Sequence, residues 1–227
     1  MTDVVRLQLS DPDAIVRGDG RNEGGLTRFE LLRRAALGGG GVVLGGGVLL
    51  TGVPSAFAQD ITDVDILNLL LLNESLEVAF YSEAVSRGGL SGRALEFAEQ
   101  VRDNEVVHRD VARQALGNRA RAIPAFEFGE TTANNEAFLT TALALENNDV
   151  GALNGAGPLV RSRALLGVAG QIVSVEGRQA AWVRRIVYGP EYAGATELPA
   201  PSAFDAGLTP AQVVQAIRAT GFVQGEI

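Results

Sequence analysis

Between Asp63 and Tyr188, apolar residues return at every third or fourth position in four successive runs, each bounded by Gly, Pro or a capping residue. That period belongs to helices that turn one face inward. The first run extends from Asp63 to Ser86, opened by acidic residues and closed by Gly88 and Gly89. The second extends from Ser91, a good N-cap, to Leu116, with Gly117 just past its end. The third covers Asn135 to Leu153, ahead of Gly155-Ala156-Gly157-Pro158, and the fourth covers Ser162 to Tyr188, where Gly189-Pro190 forbids continuation. The second and third are joined by residues 118–133, which carry Pro124, Phe126 and Phe128. That is long for a helix hairpin and predicts a crossover along the bundle, pinned by the two rings. Thr209-Pro210, a cap followed by Pro at the first helical position, opens a short last helix to about Thr220. The expected fold is all-α, a four-helix bundle with a long crossover connection between helices two and three and a short C-terminal helix.

Ahead of these runs the chain has the three-part layout of a signal peptide. A polar stretch ends in Arg28, Arg33 and Arg34, residues 35–53 are apolar and Gly-rich, and Ala56-Phe57-Ala58 forms an A-x-A site. Residues 1–58 are expected to be a leader cleaved after Ala58, and residues 59–227 a single domain. The Arg33-Arg34 pair resembles a twin-arginine signal, although Phe29 stands where the second Arg of the usual surroundings is expected. The mature protein is then exported, to a periplasmic, cell-envelope or extracellular location. Left uncleaved, the leader's apolar run is long enough to hold the chain to a membrane, and nothing else in the sequence calls for one.

Composition removes most chemistries. There is no Cys, hence no disulfide, iron–sulfur cluster or thiol nucleophile, and no Lys, hence no Walker A loop or Schiff base. A single His, His108, rules out sites built on two imidazoles. The leader balances its charges, so the net charge of −8 falls on the domain and argues against nucleic acid as a partner. With 46% hydrophobic but only 6% aromatic residues, the chain favours helix packing over a β-sandwich.

What remains is chemistry that carboxylates and one imidazole can perform. In the first run Leu67, Leu70, Glu74, Glu77, Tyr81 and Ala84 share the apolar stripe; in the second Phe97, Val101, Glu105, His108, Ala112 and Ala115 do. Glu105 and His108 thus stand one turn apart and can bind one cation from one helix. Phe138, Ala142, Leu145, Glu146 and Asp149 lie together on the third, and Ala169, Val173, Glu176, Gln179 and Val183 on the fourth. Interior acids on all four helices carry a heavy desolvation burden unless a cation or hydrogen bonds compensate them. Glu77, one turn past Glu74 on the interior stripe, has a surface Arg as its alternative partner; Asp149 is read as capping or neighbouring the following loop, and the Tyr81 hydroxyl as bonded to a carboxylate.

The stretches LNLLLLNESLEVAFY (67–81), NEVVH (104–108), ALENNDVGALNGAG (144–157) and VEGRQAAWVR (175–184) resemble, in that order, the ferritin-like family, in particular its exported branch that includes desiccation-related proteins. The resemblance implies a ferritin-like four-helix bundle with metal ligands Glu74, Glu105, His108, Glu146 and Glu176, and a paired site in which a carboxylate bridges two ions. One position departs from the pattern. Where a second E-x-x-H is expected the chain reads Glu176-Gly177-Arg178-Gln179, and an amide oxygen from Gln179 is a far weaker donor than imidazole.

Two functions follow. One is an exported protein with a carboxylate-rich Fe or Mn site, of one or two ions and asymmetric or degraded at Gln179, that reacts with oxygen or peroxide or simply binds metal. The other is a non-enzymatic stress or structural bundle that has lost its metal. The sequence names metal ions as the partners, and it is compatible with a homo-oligomer.

Overall fold

Local sequence starts and stops each helix. The computed structural model describes residues 61–191 and 194–227. The expected leader, residues 1–58, with its Arg33-Arg34 pair and the expected cleavage position after Ala58, lies outside the described residues. Helix α1 (Asp63–Arg87) begins with a capping box, in which Thr62 and Asp65 exchange side-chain and backbone hydrogen bonds, and ends at Gly88 with φ 73°. Helix α2 (Gly92–Leu116) has Ser91 at its N-cap, yet the Ser91 side chain makes no capping bond. Instead Asn135 accepts from the Ser91 backbone N at 3.0 Å. Asn134 caps helix α3 (Asn135–Ala156), Ser162 caps helix α4 (Arg163–Tyr188), and a Thr209–Gln212 capping box opens helix α5 (Pro210–Ala219).

Helix α1 pairs with α2 and α3 with α4, each through a short loop. Asp63, at the start of α1, accepts from the backbone N of Arg161 and Ser162 at 2.8 and 2.9 Å, which fixes the start of α4 beside it. The expected crossover is present. It leaves α2 beside the start of α1, where Asn68 bonds the backbone of Arg119 and Arg121 at 3.1 and 2.7 Å. It arrives at the far end of α1, where Arg87 donates to the Gly129 carbonyl and to Thr132 Oγ1. The connection therefore runs the length of α1 and lets α3 start at the same end of the bundle as α2.

Two details exceed the sequence reading. The crossover contains strand β1 (Ala125–Phe126), which pairs antiparallel with β2 (Val223–Gln224) near the C-terminus. Two residues are too few for an alternating pattern to announce a strand. Helix α3 also continues past Leu153 to Ala156, because Gly155 is a contact point and not a terminator. A Cβ on Gly155 would fall 1.8 Å from the Leu208 carbonyl oxygen, so the segment leading into α5 lies directly on the α3 backbone. The Leu208 backbone N donates to the Gly151 carbonyl at 2.8 Å.

The interior has apolar ends and a polar middle. At one end Phe80, Tyr81, Phe97, Phe128 and Phe138 pack with Phe222 of the C-terminal segment, with Phe80 and Phe138 stacked at 5.4 Å and Phe128 edge-on to Phe222 at 5.1 Å. Phe128 is thus the pin expected of the crossover, and Phe126 stacks behind it at 6.2 Å. Trp182 packs edge-on to Phe97 at 5.1 Å. Towards the other end Leu67, Leu71, Ala112 and Leu116 form a second cluster. Between the two lie the buried acids. Among the described residues no helix is long and apolar enough to cross a membrane.

Candidate metal centre

Each of the four long helices carries into this middle layer a pair of polar residues three positions apart, one helical turn: Glu74 and Glu77, Glu105 and His108, Glu146 and Asp149, Glu176 and Gln179. All six carboxylates are 0% exposed, with Gln179 at 3% and His108 at 8%.

His108 turns Nδ1 to the acids. It lies 3.0 Å from Glu105 Oε2, 2.8 Å from Glu176 Oε1 and 3.8 Å from Glu74 Oε2. Glu74, Glu105, His108 and Glu176 each present one ligand atom, all within 4.8 Å of one another. Glu77, Asp149 and Glu176 form a second such group at the same spacing. Glu176 belongs to both, and so has the placement of a bridge.

Gln179 stands among the acids as a donor. Its Nε2 donates to Glu105 Oε1 at 2.7 Å, Glu176 Oε2 at 3.0 Å and Glu146 Oε2 at 3.3 Å. Its oxygen accepts from Asn104 Nδ2 at 2.6 Å. The sequence reading expected a weak oxygen ligand here; the surrounding acceptors instead orient the amide NH2 inward, and an NH2 group has no lone pair for a cation. Glu146 is held on both sides, since Tyr81 donates its hydroxyl to the other oxygen, as expected for that phenol. Asp149 Oδ1 accepts from Asn73 Nδ2 at 2.5 Å, and Asn148 in turn donates to Asn73 Oδ1 at 3.2 Å.

Burial dominates the electrostatics. It pushes the carboxyls of Glu74, Glu77, Glu146 and Glu176 well above the usual carboxylate range, and the neighbouring acids push the same way. Asp149 is raised to about 7 by burial and by Glu105, against the opposing hydrogen bond from Asn73 and the nearby His108. The Tyr81 phenol is raised as well, first by burial and then by Glu146. Keeping such a set ionised without a counter-charge costs several kcal/mol per group. Moreover, both oxygens of Glu74, both of Glu77 and Asp149 Oδ2 have no hydrogen-bond partner. Native interiors leave few such atoms. Oxygen atoms converging without donors, with one imidazole among them, fit a divalent cation such as iron, manganese or zinc.

The structure brings Glu74, Glu105, His108 and Glu176 together within ligand reach, and places Glu146 and Gln179 beside them in a hydrogen-bonded network. It corrects one assignment and decides another. Asp149 neither caps nor neighbours the loop, and Glu77 keeps the interior place of its stripe instead of pairing with an Arg at the surface; both are fully buried in the centre. The available signal was their spacing, one turn beyond Glu74 and Glu146 on the same interior stripes. Asn73 and Asn104, each immediately before a centre Glu, were not singled out either.

The profile of the ferritin-like domain family matches residues 62–189, more than half of the chain and all four long helices. No curated protein matches it.

Proposed function

We propose, because the chain belongs to the ferritin-like domain family, that its bundle interior binds a redox-active divalent metal, iron or manganese, and presents it to dioxygen or peroxide. The observation that carries this reading is the convergence of Glu74, Glu105, His108 and Glu176 within 4.8 Å, all buried, with neither oxygen of Glu74 hydrogen-bonded. When bound, the metal supplies the electron-transfer step that none of these side chains can perform.

The chain's own residues bind, orient and exclude water. Glu74, Glu105 and Glu176 offer anionic oxygens that favour a higher oxidation state, and His108 offers Nδ1. Gln179 steadies Glu105 and Glu176 through its amide, Tyr81 holds Glu146, and the apolar layers at either end keep bulk water from the centre. Uptake of a cation makes the carboxyls give up the protons that burial lets them keep. Export through the leader of residues 1–58 belongs to the same proposal; its support is the A-x-A site and the arginine pair, and a twin-arginine route would carry the bundle folded and already loaded.

A second reading, a stress or structural bundle without metal, is favoured by the Gln179 amide, which gives three of the carboxylates a neutral donor. Metal analysis of the protein purified from an exporting host separates the two. Close to one equivalent of iron or manganese, or more, is expected. Less than about a tenth of an equivalent of any transition metal would leave the structural reading standing.

A further inference from the structure

We infer that the bundle has a second cation position made only of carboxylates, Glu77, Asp149 and the shared Glu176, which takes a hard divalent cation. The inference rests on the metal reading above and deepens it by placing the second ion away from Gln179 and Glu146.

Gln179 and Glu146 are already engaged. Gln179 presents its NH2 to the carboxylates, and Glu146 has one oxygen on Tyr81 and the other on Gln179. The acid on α3 with a free oxygen is Asp149, which Asn73 holds by Oδ1 while Oδ2 has no partner. Facing it, Glu77 is fully buried with neither oxygen hydrogen-bonded. Ligand atoms of Glu77, Asp149 and Glu176 lie within 4.8 Å of one another, which one ion can span. The donor set lacks nitrogen, and carboxylates alone suit manganese, magnesium or calcium better than zinc. The two positions therefore differ in kind: His108 draws a transition metal to the first, and the second selects a harder ion across the Glu176 bridge.

The test uses the full chain, stripped of metal, loaded anaerobically with one equivalent of Zn(II) for the His108 position, and then titrated with Mn(II). The loss of the free Mn(II) electron paramagnetic resonance signal reports binding. The parent is expected to take up one further equivalent. The Glu77→Gln, Asp149→Asn double variant keeps both shapes and removes both charges; it is expected to retain the zinc and to bind Mn(II) at least about tenfold more weakly. Its metal-free form should melt no lower than the parent, since two buried acids become amides, and Asp149→Asn alone serves if the double variant misfolds. A zinc-loaded parent that takes up no Mn(II), or variants that take up as much as the parent, would overturn the second position and leave the first intact. A parent that binds neither ion would overturn the proposed function and this inference together.

Discussion

The side-chain amide of Gln179 donates to Glu105 Oε1 at 2.7 Å, joining the fourth helix to the second at the place where a second imidazole would complete the family's paired motif. A neutral NH2 there does for the carboxylates part of what a cation would do. Replacing it with a lone-pair donor should change the centre more than the loss of one hydrogen bond suggests. Gln179→His is expected to raise iron or zinc affinity by about tenfold, 1.4 kcal/mol, in anaerobic titration. If the folded variant binds no more than the parent, the surrounding shell does not orient the new ring.

His108 supplies the one imidazole of the centre, its Nδ1 2.8 to 3.8 Å from Glu176, Glu105 and Glu74. His108→Ala should therefore weaken zinc or ferrous binding more than Gln179→Ala does. Competition against a chelator of known affinity measures both, and equal losses would remove His108 from the ligand set.

The buried acids make the metal-free protein sensitive to pH in a defined direction. Asp149 titrates at about 7 in the folded chain against an ordinary 3.8, and Glu74, Glu77, Glu146 and Glu176 are raised as well. The native state holds protons that the unfolded chain has released. This contribution to stability is complete below the unfolded values and is lost as pH rises through the folded ones. Melting temperatures in the presence of a chelator should fall between about pH 5 and pH 8, by about 2–4 °C for each kcal/mol lost. With metal bound the carboxylates are ionised and compensated, and the fall should shrink or reverse. A flat metal-free profile would mean that these groups do not hold their protons.

Gly155 lets the segment before α5 lie on α3, with the Leu208 carbonyl 1.8 Å from where a Cβ would sit. Gly155→Ala should destabilise the fold by about 1–3 kcal/mol despite the better helix propensity of Ala, because backbone must move to admit the methyl. Denaturant unfolding measures it, and a stabilised variant would show that the segment can lift away freely.

In the export leader proposed for residues 1–58, Arg33 and Arg34 are the part most specific to a twin-arginine route. Changing both to Gln should hold the precursor inside the exporting cell, as read by fractionation and immunoblot. Unchanged export would assign the leader to the general secretory path.

The helices and their limits were written locally. The threefold and fourfold return of apolar residues, the caps at Thr62, Asn134, Ser162 and Thr209, and the stop at Gly189-Pro190 act within a turn or two of chain, so the sequence determines them without a partner. The same spacing put Glu74, Glu105, Glu146 and Glu176 on interior faces. Tertiary structure decided what those faces meet. Glu77 and Asp149 share their helices' stripes with Glu74 and Glu146, but only the packing of α1 against α3 decides that they face one another instead of an Arg or solvent. Likewise, whether Gln179 offers oxygen or NH2 depends on Asn104, Glu105 and Glu146 from other helices as well as on Glu176 of its own, and the two-residue β1–β2 ladder depends on a crossover meeting the C-terminus. Periodicity specifies a residue's angle around its own helix axis; the depth, tilt and neighbours across the bundle come from packing, and the chemistry of a buried polar group is set by those neighbours.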